Sequence, residues 1–326
     1  MRYLVTGSSG HLGEALMRSL RGNGAEAVSI DIKPGPFTDH VGSITDPGLV
    51  RELMRGINAV LHTATLHKPH VATHSRQDFI DTNVTGTNNL LEAAISEGVG
   101  AFVFTSTTSA FGAALTPPPG APAAWITEEV RPVTKNIYGA TKLAAEDLCW
   151  LAHKKDGLDC LILRTSRFFP EEQDDPAARA LFSTPNAQAN EFLHRRVDIE
   201  DVVSAHLLAA EKAPQIGFGR YIISAPTPFS PQDTSELREN APAVIGRYAD
   251  YRPVYDALGW TAPAGIDRVY DSSLAQKELG WTPKHDFAAV LARVAKGGSP
   301  LSQLAAEVGV KGYHEETFED GPYPVE

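Results

Sequence analysis

The sequence predicts an α/β fold, in which helices cover both faces of a doubly wound parallel sheet and a smaller C-terminal domain follows. Three observations support this prediction. Short apolar runs alternate with helical segments as far as Arg164, a glycine-rich turn joins the first run to the first helix, and short proline-rich elements fill most of the remainder. Strands separated by helices pair in parallel, and both faces of such a sheet are covered.

Each short apolar run predicts a strand, and each segment with apolar residues at three- or four-residue spacing predicts a helix. The predicted strands are RYLVTG, EAVSID, NAVLH, AFVFTS, LDCLILR and GRYIIS. The predicted helices are HLGEALMRSLRG, DPGLVRELMRG, FIDTNVTGTNNLLEAAISEG, NIYGATKLAAEDLCWLAHKKDG and IEDVVSAHLLAAEKA. Asp46 is expected to cap the second helix, with Pro47 in its first turn.

The last predicted helix and strand are expected to return to the sheet after a loop-rich interruption. The first domain is therefore predicted to be discontinuous and to comprise residues 1–165 and 197–224. Residues 166–196 and 225–326 are assigned to the smaller, substrate-binding domain.

Composition restricts the class of protein. Hydrophobic residues make up 42% of the chain and charged residues 21%, which is typical of a soluble protein with a sizeable core. The net charge of −11 argues against nucleic-acid binding, which needs a basic surface. No apolar run approaches the roughly 20 residues that span a bilayer. The two cysteines, Cys149 and Cys160, lack metal-binding spacing. We expect a cytoplasmic protein that binds neither nucleic acid nor membranes.

The first turn has the pattern of a phosphate-binding loop. TGSSGHLG places Gly7, Gly10 and Gly13 between the first strand and the first helix, where missing side chains let a diphosphate approach the helix N-terminus. Asp31 follows Gly13 by 18 residues, at the end of the second predicted strand. Its carboxylate can bind both ribose hydroxyls and would repel a 2′-phosphate. The loop therefore predicts a Rossmann-type domain that binds NAD rather than NADP.

Tyr138 and Lys142 lie four residues apart in YGATK, and hence on one face of a predicted helix. The ordinary pKa of tyrosine is near 10. To serve as a base near neutral pH, this pKa must fall by roughly three units, which is about 4 kcal/mol. A lysine ammonium and the positive charge of a nicotinamide would supply that stabilisation.

On these motifs the sequence resembles the extended short-chain dehydrogenases/reductases of the NAD-dependent epimerase/dehydratase group. The resemblance also includes LHTAT at 61–65, NVTGTNNLLEAA at 83–94, FTSTTSAFG at 104–112 and DSSLAQKELGWTP at 271–283. It implies an enzyme with a Rossmann domain that binds NAD, a second domain that holds the substrate, and a homodimer. Tyr138 would be the general acid/base, and Lys142 would bind the nicotinamide ribose and lower the tyrosine pKa.

The resemblance also implies which residues surround the cofactor. Asn83 would lie on a helix behind it, in a structural role or in direct contact. The other implied cofactor-binding residues are Gly7, Ser9, Gly10, His11, Leu12 and Gly13 in the first turn, Asp31, and the loop residues Thr63, Ala64 and Thr65.

FTSTTSAFG contains five hydroxyl side chains in a row, residues 105–109. Anchored on Phe104 and Gly112, the family pattern places the catalytic hydroxyl at Thr107. Thr108 follows it and is expected to contact the substrate. The sugar-nucleotide dehydratases of the family carry an Asp-Glu pair directly after this threonine, whereas this chain has Thr108 and Ser109. Dehydration is therefore disfavoured.

Arginines occur where the family binds its substrate. Arg167 replaces the asparagine that nucleotide-sugar epimerases carry after the fifth strand, and Arg195 and Arg196 precede VDIEDVV. Arginine suits carboxylate or phosphate groups, so all three predict an anionic substrate. The alternative is that they pair with nearby carboxylates: Glu171, Glu172, Asp174, Asp175 or Glu191.

Four histidines, His62, His67, His70 and His74, lie in HTATLHKPHVATH. No cysteine or clear carboxylate ligand accompanies them, so no metal is expected. His67 is expected to contact the substrate, and simple solvation is the alternative.

These inferences together favour an NAD-dependent epimerase or dehydrogenase that acts on a sugar or nucleotide-sugar hydroxyl through a keto intermediate. The alternatives are a dehydrogenase of a free sugar acid or another small secondary alcohol, and a non-catalytic NAD-binding protein.

Overall fold

The structure, a computed structural model, describes residues 1–172 and 175–312. The chain forms two compact units. The first comprises Met1–Ala110, Thr134–Thr165 and Val202–Tyr221, and the second comprises Phe111–Val133, Ser166–Asp201 and Ile222–Glu326. The sequence-based division differs mainly at residues 111–133, which it placed in the first domain.

Seven strands form one sheet, in the order β3-β2-β1-β4-β5-β7-β8. The strands of the described residues are β1 (Arg2–Thr6), β2 (Glu26–Asp31), β3 (His40–Val41), β4 (Ala59–His62), β5 (Ala101–Thr107), β6 (Ala124–Ile126), β7 (Cys160–Thr165), β8 (Phe218–Ile223) and β9 (Arg268–Tyr270). All six strands predicted from the sequence are present. The two-residue β3 was not predicted, because both of its residues are exposed and carry no apolar pattern.

Neighbouring strands from β3 to β7 are parallel. The chain moves outward from β1 in one direction through β2 and in the other through β4, so the topological switch point lies between β1 and β4. In sheets of this kind ligands bind beyond the carboxyl ends of the strands at the switch point. Every residue of β4 and β7 is buried, as expected for central parallel strands.

Helices connect the strands. Those of the described residues are α1 (His11–Gly22), α2 (Pro47–Met54), α3 (Arg76–Phe79), α4 (Gly86–Glu97), α5 (Ile137–Asp156), α6 (Pro176–Leu181), α7 (Thr184–Glu191), α8 (Ile199–Ile216), α9 (Thr234–Tyr248), α10 (Arg252–Leu258), α11 (Ser273–Leu279), α12 (Phe287–Val294) and α13 (Gln303–Val308). None of the helices in this part of the chain has the length and apolar character needed to span a membrane.

Local signals set the ends of the helices. Asp46 caps α2 by accepting hydrogen bonds from the backbone N–H groups of Gly48 and Leu49, as predicted. Asn136 caps α5 in the same way, and α5 ends at Gly157, which adopts a left-handed conformation. The long helix predicted over 79–98 is interrupted by a π-helical segment at Ile80–Thr85. Such segments are frequent at functional sites.

The second unit has its own small sheet and core. β6 pairs in parallel with β9, which explains why residues 111–133 group with the C-terminal part of the chain. The core cluster of this unit consists of Phe111, Leu115, Ile126, Ile222 and Tyr270.

Candidate active site

The glycine loop leaves no room for side chains. Gly7 adopts a φ of +77°, and a Cβ added there would lie 2.7 Å from the backbone nitrogen of Ala64. A Cβ on Gly13 would lie 2.0 Å from the carbonyl oxygen of Gly7. α1 starts directly after Gly10, and no side chain in the described chain caps it. Its first N–H groups are therefore available to an anion.

Asp31 lies at the end of β2, and the backbone orients its carboxylate. One carboxylate oxygen accepts from the N–H of Ser9 at 2.9 Å and the other from the N–H of Lys33 at 2.8 Å. Asp31 is thereby fixed beside the glycine loop, as the sequence predicted. The predicted loop residues His11 and Leu12 are buried at the start of α1. A cradle that a Cβ would fill, an uncapped helix and a fixed acidic residue fit the phosphates and ribose of a dinucleotide.

The loop after β4 is held by a hydroxyl that the sequence did not single out. Thr6 Oγ1 accepts from the N–H groups of Thr63 and Ala64, each at 3.1 Å, and lies 2.8 Å from His62 Nδ1. His62 Nε2 lies 2.9 Å from Thr87 Oγ1, whose proton goes to the carbonyl of Asn83. Nε2 must therefore carry the proton, and Nδ1 accepts from Thr6. Burial, and secondarily Lys142, holds the pKa of His62 well below its ordinary value, so this imidazole is neutral.

Asn83 uses its whole side-chain amide within the protein. Its Oδ1 accepts from the Thr65 hydroxyl and from the N–H of Leu66. Its Nδ2 donates to the carbonyl of Leu66 and to the hydroxyl of Thr141 on α5. All four hydrogen bonds of the amide are thus occupied. The geometry favours a role in positioning the 63–66 loop over direct contact with a cofactor.

Thr107, Tyr138 and Lys142 come together in the first unit. Thr107 ends β5, and its hydroxyl is hydrogen-bonded to that of Tyr138 in the first turn of α5. Lys142 lies one turn further along α5, and its ammonium is 4.1 Å from the centroid of the Phe104 ring. All three catalytic candidates are buried: Thr107 is 8% exposed, Tyr138 8% and Lys142 2%.

Burial dominates the electrostatics of this group in the chain alone. Burial raises the pKa of Tyr138 to about 12, and the Thr107 hydrogen bond opposes the rise. Burial lowers the pKa of Lys142 to about 7, against the opposing charge of Glu146. The lowered tyrosine pKa expected from Lys142 is therefore not produced by the chain alone. A buried phenol is costly to ionise, so a further positive charge is required.

The structure separates the five hydroxyls of the 105–109 run. Thr105 donates to His206 Nε2 at 2.8 Å, because the Nδ1 proton of that histidine goes to a backbone carbonyl. Ser106 donates to Glu146 at 2.6 Å, and Thr108 donates to the carbonyl of Thr165 at 3.4 Å. Ser109 is exposed. Of the five, Thr107 is the hydroxyl bonded to Tyr138.

The predicted substrate residues of the first unit have their own contacts. Thr108 is 5% exposed, which is comparable to the three catalytic candidates, and its contact with a substrate stays a prediction. His67 begins a 3-10 turn at 68–72, and its N–H donates to His70 Nδ1 at 3.1 Å. The rings of His67, His70 and His74 follow one another at about 5 Å in edge-to-face geometry. His62 lies apart from them in the hydrogen-bonded network below the loop.

The predicted arginines meet in the second unit at one carboxylate, that of Glu191. Arg196 Nε donates to it at 2.8 Å, Arg195 Nη2 lies 3.1 Å away, and Arg167 Nε lies 4.0 Å away. Arg196 is fully buried and also donates to the carbonyl of Phe169 at 2.9 Å. Arg196 therefore holds Glu191 in place, while the side chains of Arg195 and Arg167 are 30% and 18% exposed.

Of the carboxylates expected as alternative partners of these arginines, Glu191 is the one that these ion pairs involve. Three guanidinium groups converge on the carboxylate of Glu191, and Arg167 also donates to the carbonyls of Glu171 and Glu172. Asp174, another candidate partner, lies outside the described residues. Burial, followed by the positive charges of Arg195 and Arg268, lowers the pKa of the neighbouring His194 to about 3. Arg268 on β9 was not singled out from the sequence, because β9 lies in the segment without regular alternation.

Asp198, Glu200 and His285 bring potential metal ligands together in the described part of the second unit, within 4.8 Å. Arg293 Nη1 lies 2.9 Å from His285 Nδ1 and can only donate, so Nδ1 accepts. His285 Nε2 then carries a proton and donates to Glu200 at 3.2 Å. Neither nitrogen offers a lone pair to a cation. The group is better described as a hydrogen-bonded ion-pair network.

Comparisons with known proteins show the family to which the chain belongs. The family model described as the NAD dependent epimerase/dehydratase family matches residues 3–223. The chain is 27% identical to the UDP-glucose 4-epimerase of Azospirillum brasilense over 95% of this chain and 96% of that protein. It is 29% identical to the dTDP-glucose 4,6-dehydratase of Streptomyces antibioticus, over 90% and 91%. The structure of UDP-glucuronic acid 4-epimerase from Bacillus cereus with NAD has a TM-score of 0.60 at 22% identity, over 89% and 94%, and shares the fold.

Proposed function

The chain belongs to the NAD-dependent epimerase/dehydratase family, and we propose that it oxidises a hydroxyl group of a sugar or nucleotide sugar through a keto intermediate. It is an enzyme of the extended short-chain dehydrogenase/reductase type, and its cofactor is NAD. The observation that carries the proposal is the buried group formed by Thr107 at the end of β5 and by Tyr138 and Lys142 on successive turns of α5. The relatives named above support a sugar substrate.

In this proposal Tyr138 removes the proton of the substrate hydroxyl and later returns it. Thr107 donates a hydrogen bond to the reacting oxygen, and the Lys142 ammonium stabilises the phenolate and binds the nicotinamide ribose. Bound NAD supplies the hydride acceptor and a positive charge. If the hydride were returned to the other face of the ketone, the product would be an epimer. If the ketone were released instead, the reaction would be a net dehydrogenation. Elimination is not proposed, because Thr108 and Ser109 provide no acid pair.

One assay separates the candidate reactions. The purified protein is incubated with NAD and a panel of UDP-sugars, dTDP-sugars, free uronic acids and neutral sugars, while absorbance at 340 nm and product stereochemistry are followed. An epimerase gives product without net NADH, whereas a dehydrogenase accumulates NADH stoichiometrically with product. Failure of every sugar, with NAD binding intact, would favour a non-catalytic NAD-binding protein.

We expect Asp31→Asn to weaken NAD binding by about 10- to 100-fold, because a charged hydrogen bond to the ribose is worth about 1.5–3 kcal/mol. The amide keeps an acceptor for only one of the two N–H groups, those of Ser9 and Lys33, and it no longer repels a 2′-phosphate. Binding of NADP should therefore strengthen in the same variant. Calorimetric titration with both cofactors checks this, and an unchanged preference would contradict the role of Asp31.

We propose that the exposed guanidiniums beside Glu191 bind an anionic group of the substrate. Arg195→Gln should raise the KM for a uronate or nucleotide sugar about tenfold or more and leave that for a neutral sugar unchanged. The prediction follows from the partial exposure of the Arg195 guanidinium, 30% of whose side chain is accessible beside Glu191. Equal KM changes for charged and neutral substrates would show that Arg195 has only a structural role.

A homodimer and a cytoplasmic location are part of the proposal. Trp150 and Leu151 of α5 are 43% and 50% exposed, which gives this helix apolar surface for a second copy. Light scattering of the wild type beside a Leu151→Glu variant tests this. A wild-type protein that is monomeric at micromolar concentration would contradict it.

A further inference from the structure

We propose that Glu146 is a positioning residue of the catalytic centre, whose carboxylate favours the ammonium form of Lys142 and fixes the end of β5 beside Thr107. The inference rests on the proposed function, because it gives Glu146 its role through the proposed catalytic groups. Tyr138, Lys142 and Glu146 follow one another at four-residue spacing on α5, so they lie along one face of the helix.

The carboxylate of Glu146 is 1% exposed and is held from two strands. Its Oε1 accepts from Ser106 Oγ at 2.6 Å and from Arg164 Nε at 3.0 Å, and its Oε2 accepts from Arg164 Nη2 at 2.6 Å. Bidentate bonds of this kind are strong and fix geometry. Because Ser106 directly precedes Thr107, the same carboxylate ties α5 to the strand that carries the catalytic hydroxyl.

The second part of the role is electrostatic. The Lys142 ammonium is buried over the ring of Phe104, and burial disfavours its charged form. The Glu146 carboxylate is the strongest of the groups that raise the pKa of Lys142 against burial. Removing that charge should release the lysine proton at lower pH. The positive charge that favours the Tyr138 phenolate would be lost with it.

The other ionisable groups around α5 do not provide this negative charge. Burial raises the pKa of the Cys149 thiol well above its ordinary value, and that of Tyr138 is also raised. His62 is neutral. The remaining groups on packed elements are Cys160 and Arg164 on β7, Arg220 on β8, the partly buried Lys68 and His70, and the exposed Arg76, Asp78, Asp81, Glu92 and Glu97. Among the described residues, Glu146 is therefore the buried carboxylate next to Lys142.

The test titrates Lys142 in the cofactor-free protein, which does not depend on any assumed substrate. NMR of protein labelled with ¹³C-lysine follows the Cε signal, assigned through its loss in Lys142→Met. The wild-type midpoint is expected near pH 7. Glu146→Gln should lower it by about one unit or more, because a buried opposite charge typically shifts a pKa by that amount.

Two control variants change the surroundings of Glu146 without removing its charge. Arg220→Gln removes the ion pair in which Arg220 Nε lies 3.4 Å from the same carboxylate, and Ser106→Ala removes one hydrogen bond. Both should leave the midpoint of Lys142 near that of the wild type. A shift in the controls as large as that in Glu146→Gln would indicate general loosening of the site and would overturn the proposal.

Glu146→Gln leaves the buried Arg164 without its negatively charged partner, so this variant can misfold. The double variant Glu146→Gln, Arg164→Met replaces the pair by neutral groups. Its midpoint should also lie below that of the wild type, but by less than in Glu146→Gln, because a nearby positive charge is removed as well. A wild-type midpoint in either folded variant contradicts the proposal. If the wild type is active, its pH–rate profile provides the second readout. Activity falls as pH rises and Lys142 loses its proton, and this fall should occur at a lower pH in Glu146→Gln than in Arg220→Gln. An inactive wild type with a shifted titration would count against the proposed function alone.

Discussion

Tyr138→Phe should reduce kcat by about 100- to 10,000-fold, which is the usual contribution of a positioned general acid or base. Tyr138 is 8% exposed and its hydroxyl is bonded to Thr107, so the substitution removes one oxygen and retains the packed ring. NAD affinity should stay within about threefold, because the loss concerns the transition state rather than cofactor binding. Single-turnover measurement of hydride transfer, with NAD affinity determined separately, checks both parts. Activity equal to wild type would refute the proposed mechanism.

Thr107 provides a matched comparison. Thr107→Val keeps the shape of the side chain and removes the hydroxyl that bonds to Tyr138, whereas Thr107→Ser keeps the hydroxyl. We expect valine to reduce kcat much more than serine does. Loss of one oxyanion-binding hydrogen bond is commonly worth about 100- to 1,000-fold. Equal losses in the two variants would indicate that packing of the methyl group matters and the hydroxyl does not.

Features that depend on local sequence could be predicted. The bounds of α1 follow from its apolar spacing and the glycines before it, and Asp46 caps α2 for a reason visible within four residues. Asp31 could be placed because the end of the second strand lies next to the first turn in any fold of this class. In each case the information lies within one βαβ unit.

Features that depend on contacts distant in sequence could not be predicted. Thr6 supports the 63–64 loop through hydrogen bonds across 57 positions, and nothing around Thr6 indicates this. The buried state of Arg196 depends on Glu191 and on Phe169 from another segment. Burial raises the pKa of Tyr138 in the chain alone, and the expectation of a lowered pKa included the positive charge of a nicotinamide.

Glu146 is an intermediate case. Its four-residue spacing from Lys142 is visible in the sequence, and a search along that helical face would have found it. Its partner Arg164, however, lies on the neighbouring strand β7. A carboxylate at this spacing on a helix is usually a solvated residue, so burial was needed to identify its role.

Gly13→Ala should have the largest effect on cofactor binding. The new Cβ would lie 2.0 Å from the carbonyl oxygen of Gly7 and 2.9 Å from the Cα of Ser8, both of which are backbone atoms. Backbone cannot move aside as a flexible side chain can, so the loop must shift away from its phosphate-binding conformation. We expect NAD affinity to fall by at least about 100-fold, or about 2.7 kcal/mol, measured by calorimetry on the folded variant.

Gly22→Ala is the matched control in the same helix. No atom of the described structure lies within 4 Å of a Cβ at Gly22, and its φ is not in the left-handed region. Alanine there should leave NAD affinity unchanged and raise the free energy of unfolding by up to about 1 kcal/mol. If both variants bind NAD like the wild type, close packing of α1 against the loop is not what shapes the cofactor site. If both lose affinity, the cause lies in α1 as a whole rather than in the contact between Gly13 and Gly7.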